Sequence, residues 1–231
     1  MHWYQRFRGR GLRKRLYLKG FRGFTLAEVL ITLVIVGIIA SMTIPTLMNN
    51  TNKQEYVSRL KKTYSTLSKA ANAVIAEHGS AKNWADGSES VYTLFKEHLQ
   101  LSKDCGSAAG CFPQTPIKKL GDGSSLDWNN DTSFKTLILA EGVNVNFESG
   151  NTNCNFDESS SAGVKDGCGY IQADINGEKG PNIIGIDVFE FVLKENGLYP
   201  DGCDYDNLCD KNHSGYACTC KVIRENAINY L

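Results

Sequence analysis

The sequence predicts an α+β protein: a long N-terminal transmembrane helix whose second half packs on a small antiparallel sheet that forms a head domain. Three features of the 231 residues support this fold class. Residues 24–45 form a predominantly apolar run, and residues 46–78 continue with apolar side chains at helical spacing. Residues 79–231 contain short strand-like runs between turn residues. These boundaries divide the chain into a membrane helix, an amphipathic helix and a globular head.

The first 23 residues are strongly basic, although the whole chain has a formal net charge of zero. They contain eight of the 25 Lys and Arg residues and no Asp or Glu, which leaves residues 24–231 with a formal charge of −8. A nucleic-acid-binding protein would usually carry its basic excess in the folded domain. The charge distribution therefore argues against nucleic-acid binding and indicates a basic leader at residues 1–23.

The apolar run is long enough to cross a membrane. About 20 apolar residues span a bilayer as a helix, and Glu28 is the only charged residue from Phe24 to Pro45. Basic residues directly before such a run hold that side in the cytoplasm, so the rest of the chain is exported. A secretory signal would have a shorter apolar core followed by a small-residue cleavage site. The run therefore predicts a single-pass membrane helix.

Glu28 is unusual in this run, because a carboxylate within a membrane helix is costly and generally has a partner or a function. Its surroundings, the sequence RGFTLAEVL of Arg22–Leu30, resemble the prepilin peptidase signal of type IV pilins and type II secretion pseudopilins. The resemblance implies that the leader is cleaved after Gly23. It also implies that the new N-terminal residue, Phe24, is methylated and that Glu28 is used in assembly.

A glutamate at this position has a physical rationale in a filament. An incoming subunit lies beside an older one inside the membrane, where Glu28 can pair with the amino group of a neighbouring Phe24. Two buried charges that are costly alone then offset each other, and the pair sets the axial register. Pro45 stands where many pilins have a helix-bending proline, so we expect a kink or local melting of the helix there.

The resemblance implies a structural subunit of a type IV pilus or a type II secretion pseudopilus, and not an enzyme. The implied partners are other pilin subunits, the prepilin peptidase/methyltransferase, the membrane, and the secretion or pilus assembly machinery. The implied location is the bacterial inner membrane, with the head in the periplasm or outside the cell. The alternative is a minor tip pilin that binds a surface, a secreted substrate or DNA. Glu28 and the Gly23–Phe24 junction argue against a third class, an anchored enzyme or receptor.

The first helix is predicted to run from about Phe24 to about Glu77, where the sequence His-Gly-Ser ends it. Its apolar residues after Pro45 recur every three or four positions, as expected of a helix with one face on a head domain. The other predicted elements are a short second helix, a hairpin, two further strands and a closing helical segment: Ser88–Leu101, Thr136–Ala140 with Val143–Phe147, Gly169–Asp174, Asp187–Leu193 and Ala217–Asn226.

Eight cysteines lie in the second half of the chain, among Gly, Asn and Asp residues. An even number of cysteines in an exported domain indicates disulfides. A zinc site is the alternative, but the sequence has no C-x-x-C pair and its spacing matches no common zinc finger. Cys105–Cys111 and Cys154–Cys168 are predicted pairs, because each flanks a short loop whose closure loses little entropy.

The remaining four cysteines allow more than one pairing. Cys218 and Cys220 are separated by one residue, so each is expected to bond to Cys203 or Cys209. The sequence from Gly215 to Cys218 resembles the closing cysteine motif of the pilin family, which implies Cys209–Cys218 with Cys203–Cys220 nested around it. The swapped pairing, Cys203–Cys218 with Cys209–Cys220, stays open.

Oxygen ligands are concentrated between Asp174 and Asn182 and at Asp187. The first segment resembles the D-x-N-G-x-x-G-P-N segment of some bacterial pilin-like proteins. Asp174, Asn176 and Asp187 offer oxygen ligands of the kind that calcium binds. The alternative is a turn shaped by the hydrogen bonds of Asp and Asn side chains. We expect no other cofactor and no catalytic residue, since no nucleophile, metalloprotease or phosphate-loop motif is present.

Overall fold

A computed structural model of the chain describes residues 23–84, 87–148, 153–156 and 166–231. The predicted leader lies outside the described residues, apart from Gly23. The chain divides into two compact units, and the boundary between them falls between Thr46 and Leu47. The described part of the first unit is helical from Leu26 onward, and the second unit is the head domain.

Helix α1 spans Leu26–His78, close to the predicted limits. It begins at a capping box, in which Thr25 N and Oγ1 donate to Glu28 Oε2 at 2.8 and 2.7 Å and Glu28 N donates to Thr25 Oγ1 at 3.2 Å. The helix continues through Pro45, so the local melting considered at that residue does not occur. It ends at Gly79, whose positive φ of 78° suits a glycine cap.

The described residues of the head contain an antiparallel sheet, a small two-stranded ribbon, two short α-helices and two 3-10 turns at Ala81–Asn83 and Asp206–Leu208. The main sheet has six strands in the order β1-β4-β5-β6-β7-β8, and β2 pairs with β3 in the ribbon. In chain order the elements are α2 Ser88–Lys96, β1 Leu101–Gly106, β2 Ile117–Lys118, β3 Ser125–Leu126, β4 Lys135–Leu139, β5 Asn144–Glu148, β6 Gly167–Asp174, β7 Val188–Lys194, β8 Gly197–Pro200 and α3 Cys218–Glu225.

The predicted hairpin, the two further strands and the closing helix correspond to β4–β5, β6, β7 and α3. The predicted second helix is too long, because α2 ends at Lys96 and Leu101 begins the edge strand β1. Strands β1 and β8 and the β2–β3 ribbon were not predicted. Strand β1 has two register shifts against β4 and is largely exposed, so its sequence lacks the apolar alternation that indicates a strand.

The two faces of the sheet have different surroundings, because side chains alternate between them along each strand. On one face, Phe189 and Phe191 pack with apolar residues of α1, among them Leu60 and Leu67, in one buried core. Tyr64 of α1 stacks on Phe191 with ring centroids 5.8 Å apart. The other face carries a row of buried polar side chains, which include Asn146, Gln172, Asp174 and Glu190. That polar row lies inside the head and not on its surface.

Candidate functional site

The predicted processing junction lies just before α1. Gly23, Phe24 and Thr25 are non-helical, and the Phe24 side chain is 88% exposed. A Cβ atom at Gly23 would meet no described atom within 4 Å. The described fold therefore makes no steric demand for glycine at position 23, and the junction is accessible to an enzyme.

The apolar half of α1 has no burial within the chain. Among the described residues, Leu26–Thr43 is the one stretch of helix long and apolar enough to cross a membrane, with a mean hydropathy of 2.3 over 18 residues. None of these residues is buried inside the protein. An exposed apolar stretch of this length marks a surface that interacts with a membrane or with another chain. The segment therefore needs lipid or other apolar helices around it.

The structure gives Glu28 a role that the sequence prediction missed. Its carboxylate accepts two hydrogen bonds from Thr25 and so caps the start of α1. The signal was present in the sequence, because a threonine followed three residues later by glutamate is the usual capping-box spacing. Thr25 and Glu28 both lie after Gly23, so this cap survives cleavage at that residue.

The loop between β6 and β7 brings Asp174, Asn176 and Asp187 together and adds Asn182. Asp174 Oδ1 accepts hydrogen bonds from the backbone N–H groups of Asn176 and Gly177 at 3.2 and 3.1 Å. Asp187 Oδ2 accepts from Asn182 N at 2.8 Å and from Asn176 Nδ2 at 3.1 Å. The turn shaped by Asp and Asn side chains is therefore present, and it gathers the three residues predicted to offer calcium ligands.

The carboxyl groups of Asp174 and Asp187 are both fully buried. Burial raises the pKa of Asp174 to about 8, and the negative charge of Asp187 adds to the shift. Burial also raises the pKa of Asp187, although hydrogen bonds from Ile183 N and Asn182 N oppose the shift. Neither carboxylate forms an ion pair with a described Lys, Arg or His side chain. The loop therefore holds two buried carboxyl groups with no compensating basic side chain among the described residues.

A second group of buried acids lies along the polar row of the sheet. Gln172 Nε2 donates to Glu190 Oε2 and to Glu148 Oε2, both at 2.6 Å. Burial raises the pKa of Glu190 well above its ordinary value of 4.5, and the charges of Asp201 and Glu148 add to the shift. The sequence prediction missed this group, although Glu190 is a lone acid between the apolar residues Phe189 and Phe191 of a predicted strand.

The raised pKa of Glu190 predicts that the head loses stability as the pH rises. The folded state keeps a proton that the unfolded chain releases above about pH 4.5, so stability falls until the pH passes the raised pKa of Glu190. The slope is about 1.4 kcal/mol per pH unit for one proton. We expect Glu190→Gln, which resembles the protonated acid, to match the wild type near pH 4 and to be more stable at pH 8.

Denaturant unfolding of the full chain in detergent, followed by fluorescence of the buried Trp84 and Trp128, measures this difference. The matched control is Glu178→Gln, since Glu178 is exposed and its change should leave the pH profile as in the wild type. A Glu190→Gln protein with the wild-type pH profile would contradict the assignment of the slope to Glu190.

All eight cysteines form disulfides in the structure. Cys105–Cys111 and Cys154–Cys168 close the two short loops, and Cys203–Cys220 encloses Cys209–Cys218. This is the nested arrangement that the pilin resemblance implied, and the swapped pairing is absent. Cys209 and Cys218 belong to the same buried core as the apolar face of α1. The pair therefore ties the C-terminal segment to the centre of the head.

Comparison with known proteins supports the resemblance to pilins. Residues 18–44 match the prokaryotic N-terminal methylation motif. This motif, the apolar helix and the antiparallel head define the class: the chain is a type IV pilin-like or pseudopilin-like protein. Residues 46–213 match a family of unknown function (DUF6613), and because this match covers well over half of the chain, the protein belongs to that family. No curated protein and no solved structure matches the chain.

The motif implies processing by a prepilin peptidase and assembly with other pilin subunits. It also points to a structural protein, and the apolar helix is that of a single-pass membrane-anchored protein. The two matches divide the chain at residues 44 and 46, next to the boundary between its two compact units. The anchor and the head are therefore distinct by both sequence and structure.

Proposed function

We propose that the chain is a structural subunit of a type IV pilus or of a type II secretion pseudopilus, polymerised through the first half of α1. The observation that carries the proposal is the unburied apolar helix Leu26–Thr43 with Glu28 in its first turn. A helix that is apolar all round is stable in lipid or among other apolar helices. A simple membrane tether would need no carboxylate there, whereas a polymerising helix can use one.

In this proposal the head lies in the periplasm or outside the cell, and the chain is anchored in the bacterial inner membrane before assembly. The basic residues that precede the span favour a cytoplasmic N-terminus. The four disulfides favour an oxidising compartment for the head. The proposal assigns no catalytic activity to the head.

A minor tip pilin with a binding head is the alternative. The two roles differ in copy number, because a major subunit makes up most of a filament and a tip subunit is present in few copies. Filaments sheared from cells and separated by gel electrophoresis test this directly. A surface pilus built from this chain should give it as a principal band, whereas a trace amount would favour the tip role. Its absence would contradict a surface pilus in either role.

Processing gives an independent prediction. The mature chain should begin at Phe24 with a methylated amine, and Gly23→Val should retain the leader because the peptidase no longer finds its glycine. Intact mass of the membrane-extracted protein measures both. The matched control is Gly37→Val, since Gly37 also lacks any described neighbour within 4 Å of a Cβ atom. A wild-type chain that begins at Met1, or that is cut beyond Ala40, would contradict the predicted junction.

A further inference from the structure

Three oxygen atoms in the β6–β7 loop are buried and have no hydrogen-bond partner among the described residues: Asp174 Oδ2, Asn176 Oδ1 and Asn182 Oδ1. Asp174 is fully buried and Asn182 is 3% exposed. Leaving a buried acceptor unpaired costs about 1–3 kcal/mol. All three atoms are acceptors when Asp174 is ionised. A ligand that satisfies them must therefore supply hydrogen-bond donors or positive charge.

The three oxygens belong to side chains that are tied to one another. Asn176 Nδ2 and Asn182 N both donate to Asp187 Oδ2, and Asn176 N donates to Asp174 Oδ1. The amide orientation of Asn176 follows from its neighbours, because its nitrogen also donates to Gly180 O at 3.3 Å and faces acceptors on both contacts. The amide oxygen is therefore the atom left for a ligand.

When Asp174 and Asp187 are both ionised, the charge of the loop indicates a cation. Asp174 and Asp187 are fully buried, and neither pairs with a described basic side chain. Arg59 reaches the loop, but its Nη1 donates to Ile175 O at 3.4 Å and its Nε pairs with Glu55 at 2.9 Å. Burying charge without compensation is costly. A divalent cation would neutralise both carboxylates, whereas water would supply donors without charge.

The ligand atoms select a hard cation. The unpaired atoms are all oxygens, and the eight cysteines are in disulfides. The described residues contain no group of three His, Cys, Asp or Glu side chains suited to a metal, so any site here depends on amide oxygens. Softer metals such as zinc use thiolate and imidazole ligands. Calcium accepts carboxylate, amide and backbone oxygens together, with water completing six to eight ligands.

We propose that the β6–β7 loop binds Ca²⁺ through Asp174 Oδ2, Asn176 Oδ1 and Asn182 Oδ1. Asp187 is a positioning residue, which holds both asparagines and adds the second negative charge. This assignment adds Asn182 to the residues predicted from sequence and changes the role of Asp187. It is independent of the proposed filament function, because it concerns the head alone.

The β6–β7 loop is also hydrogen-bonded to the β2–β3 ribbon. Lys118 N donates to Asn182 O at 2.9 Å, and Ile184 N donates to Lys118 O at 2.9 Å. Ile175 N donates to Asp187 O at 2.9 Å and closes the loop on itself. An ion held by Asp174 and Asn182 would therefore order the loop and the ribbon together. Backbone amides of both segments should exchange more slowly when calcium is bound.

The test uses the full chain purified in detergent. Titration with CaCl₂ alone, followed by calorimetry, should show one Ca²⁺ per chain, and the melting temperature should be higher in Ca²⁺ than in EGTA by mass action on the folded state. Hydrogen exchange should slow at residues 174–187 and 117–118. Titration with MgCl₂ alone should give weaker binding, because Mg²⁺ demands near-octahedral geometry. Binding of Mg²⁺ as tight as Ca²⁺ would overturn the calcium assignment.

Two variants and a control locate the site. Asp174→Asn removes one ligand charge, and Asn182→Gly removes an amide oxygen while tolerating the φ of 56° at that position. Each should weaken Ca²⁺ binding at least tenfold. If Asp174→Asn does not fold, the result for Asn182→Gly alone tests the proposal. Glu178→Gln removes an exposed charge from the same loop and should bind as the wild type. No Ca²⁺ binding by the wild type, or wild-type binding by Asn182→Gly, would overturn the proposal.

Discussion

Glu28→Ala is expected to abolish filament assembly and to leave membrane insertion intact. This prediction rests on the proposed function. The substitution removes the carboxylate that would pair with the Phe24 amine of a neighbouring subunit, so the incoming subunit loses its partner and its register. Insertion does not need a buried carboxylate and would be easier without one. The amount of filament sheared from the variant cells should fall to that of cells that lack the subunit. The amount of subunit in the membrane fraction should stay as in the wild type.

Two further variants separate the capping role of Glu28 from its pairing role, because Glu28→Ala also removes the cap of α1. Glu28→Gln keeps a residue that can cap at this position and removes the charge. Thr25→Ala breaks the cap and keeps the charge. If pairing with Phe24 drives assembly, Glu28→Gln should fail and Thr25→Ala should assemble. Normal filaments from Glu28→Gln, with failure of Thr25→Ala, would show that capping is the essential role.

Removal of the inner disulfide is expected to have the largest effect on the stability of the head. Cys209 and Cys218 are 3% and 0% exposed and belong to the main core. Cys209→Ala with Cys218→Ala removes the link and leaves space in that core, which should cost about 3–5 kcal/mol in the free energy of unfolding. Non-reducing denaturant unfolding, followed by fluorescence of Trp84 and Trp128, measures the loss.

The outer disulfide is the matched control, because it joins the same two segments. Cys203–Cys220 closes a loop of 17 residues against nine for the inner pair. Loop entropy alone favours the outer link by about 0.6 kcal/mol. Cys203 is exposed, however, so truncation of the outer pair leaves little space in the core. We expect the outer double alanine variant to lose less stability, about 2–4 kcal/mol. A larger loss for the outer pair would show that loop entropy outweighs core packing.

Elements with local signals could be predicted from the sequence. The predicted limits of α1 followed from an apolar run and a terminal glycine. The capping residue Thr25, which the prediction did not use, is also a local signal. The β4–β5 hairpin was placed within one residue because its turn, Glu141-Gly142, lies between two apolar runs. Strands β1 and β8 lack such signals. They are edge strands, whose structure depends on the ladders offered by β4 and β7.

The candidate sites divide in the same way. Gly23, Phe24 and Glu28 were identified because a processing signal is a linear motif. Asp174, Asn176 and Asp187 were identified because oxygen ligands are dense in that segment. Asn182 joined the proposed calcium ligands only after the fold was known. Its backbone N–H donates to the Asp187 carboxylate, and that contact depends on the path of the loop. The position of Glu190 beside Asp201 and Glu148 depends on strand pairing, which spacing along the chain does not reveal.

The sequence by itself determined the apolar membrane helix, the α+β class and the two short disulfide loops, and it supplied the predicted processing junction. Each of these depends on the composition or spacing of residues that are near one another in the chain. Only the tertiary structure decided the pairing of the C-terminal cysteines, the buried acids of the sheet and the orphaned oxygens of the β6–β7 loop. These depend on which side chains the packing of strands and helices brings together, and on how much water it removes from them.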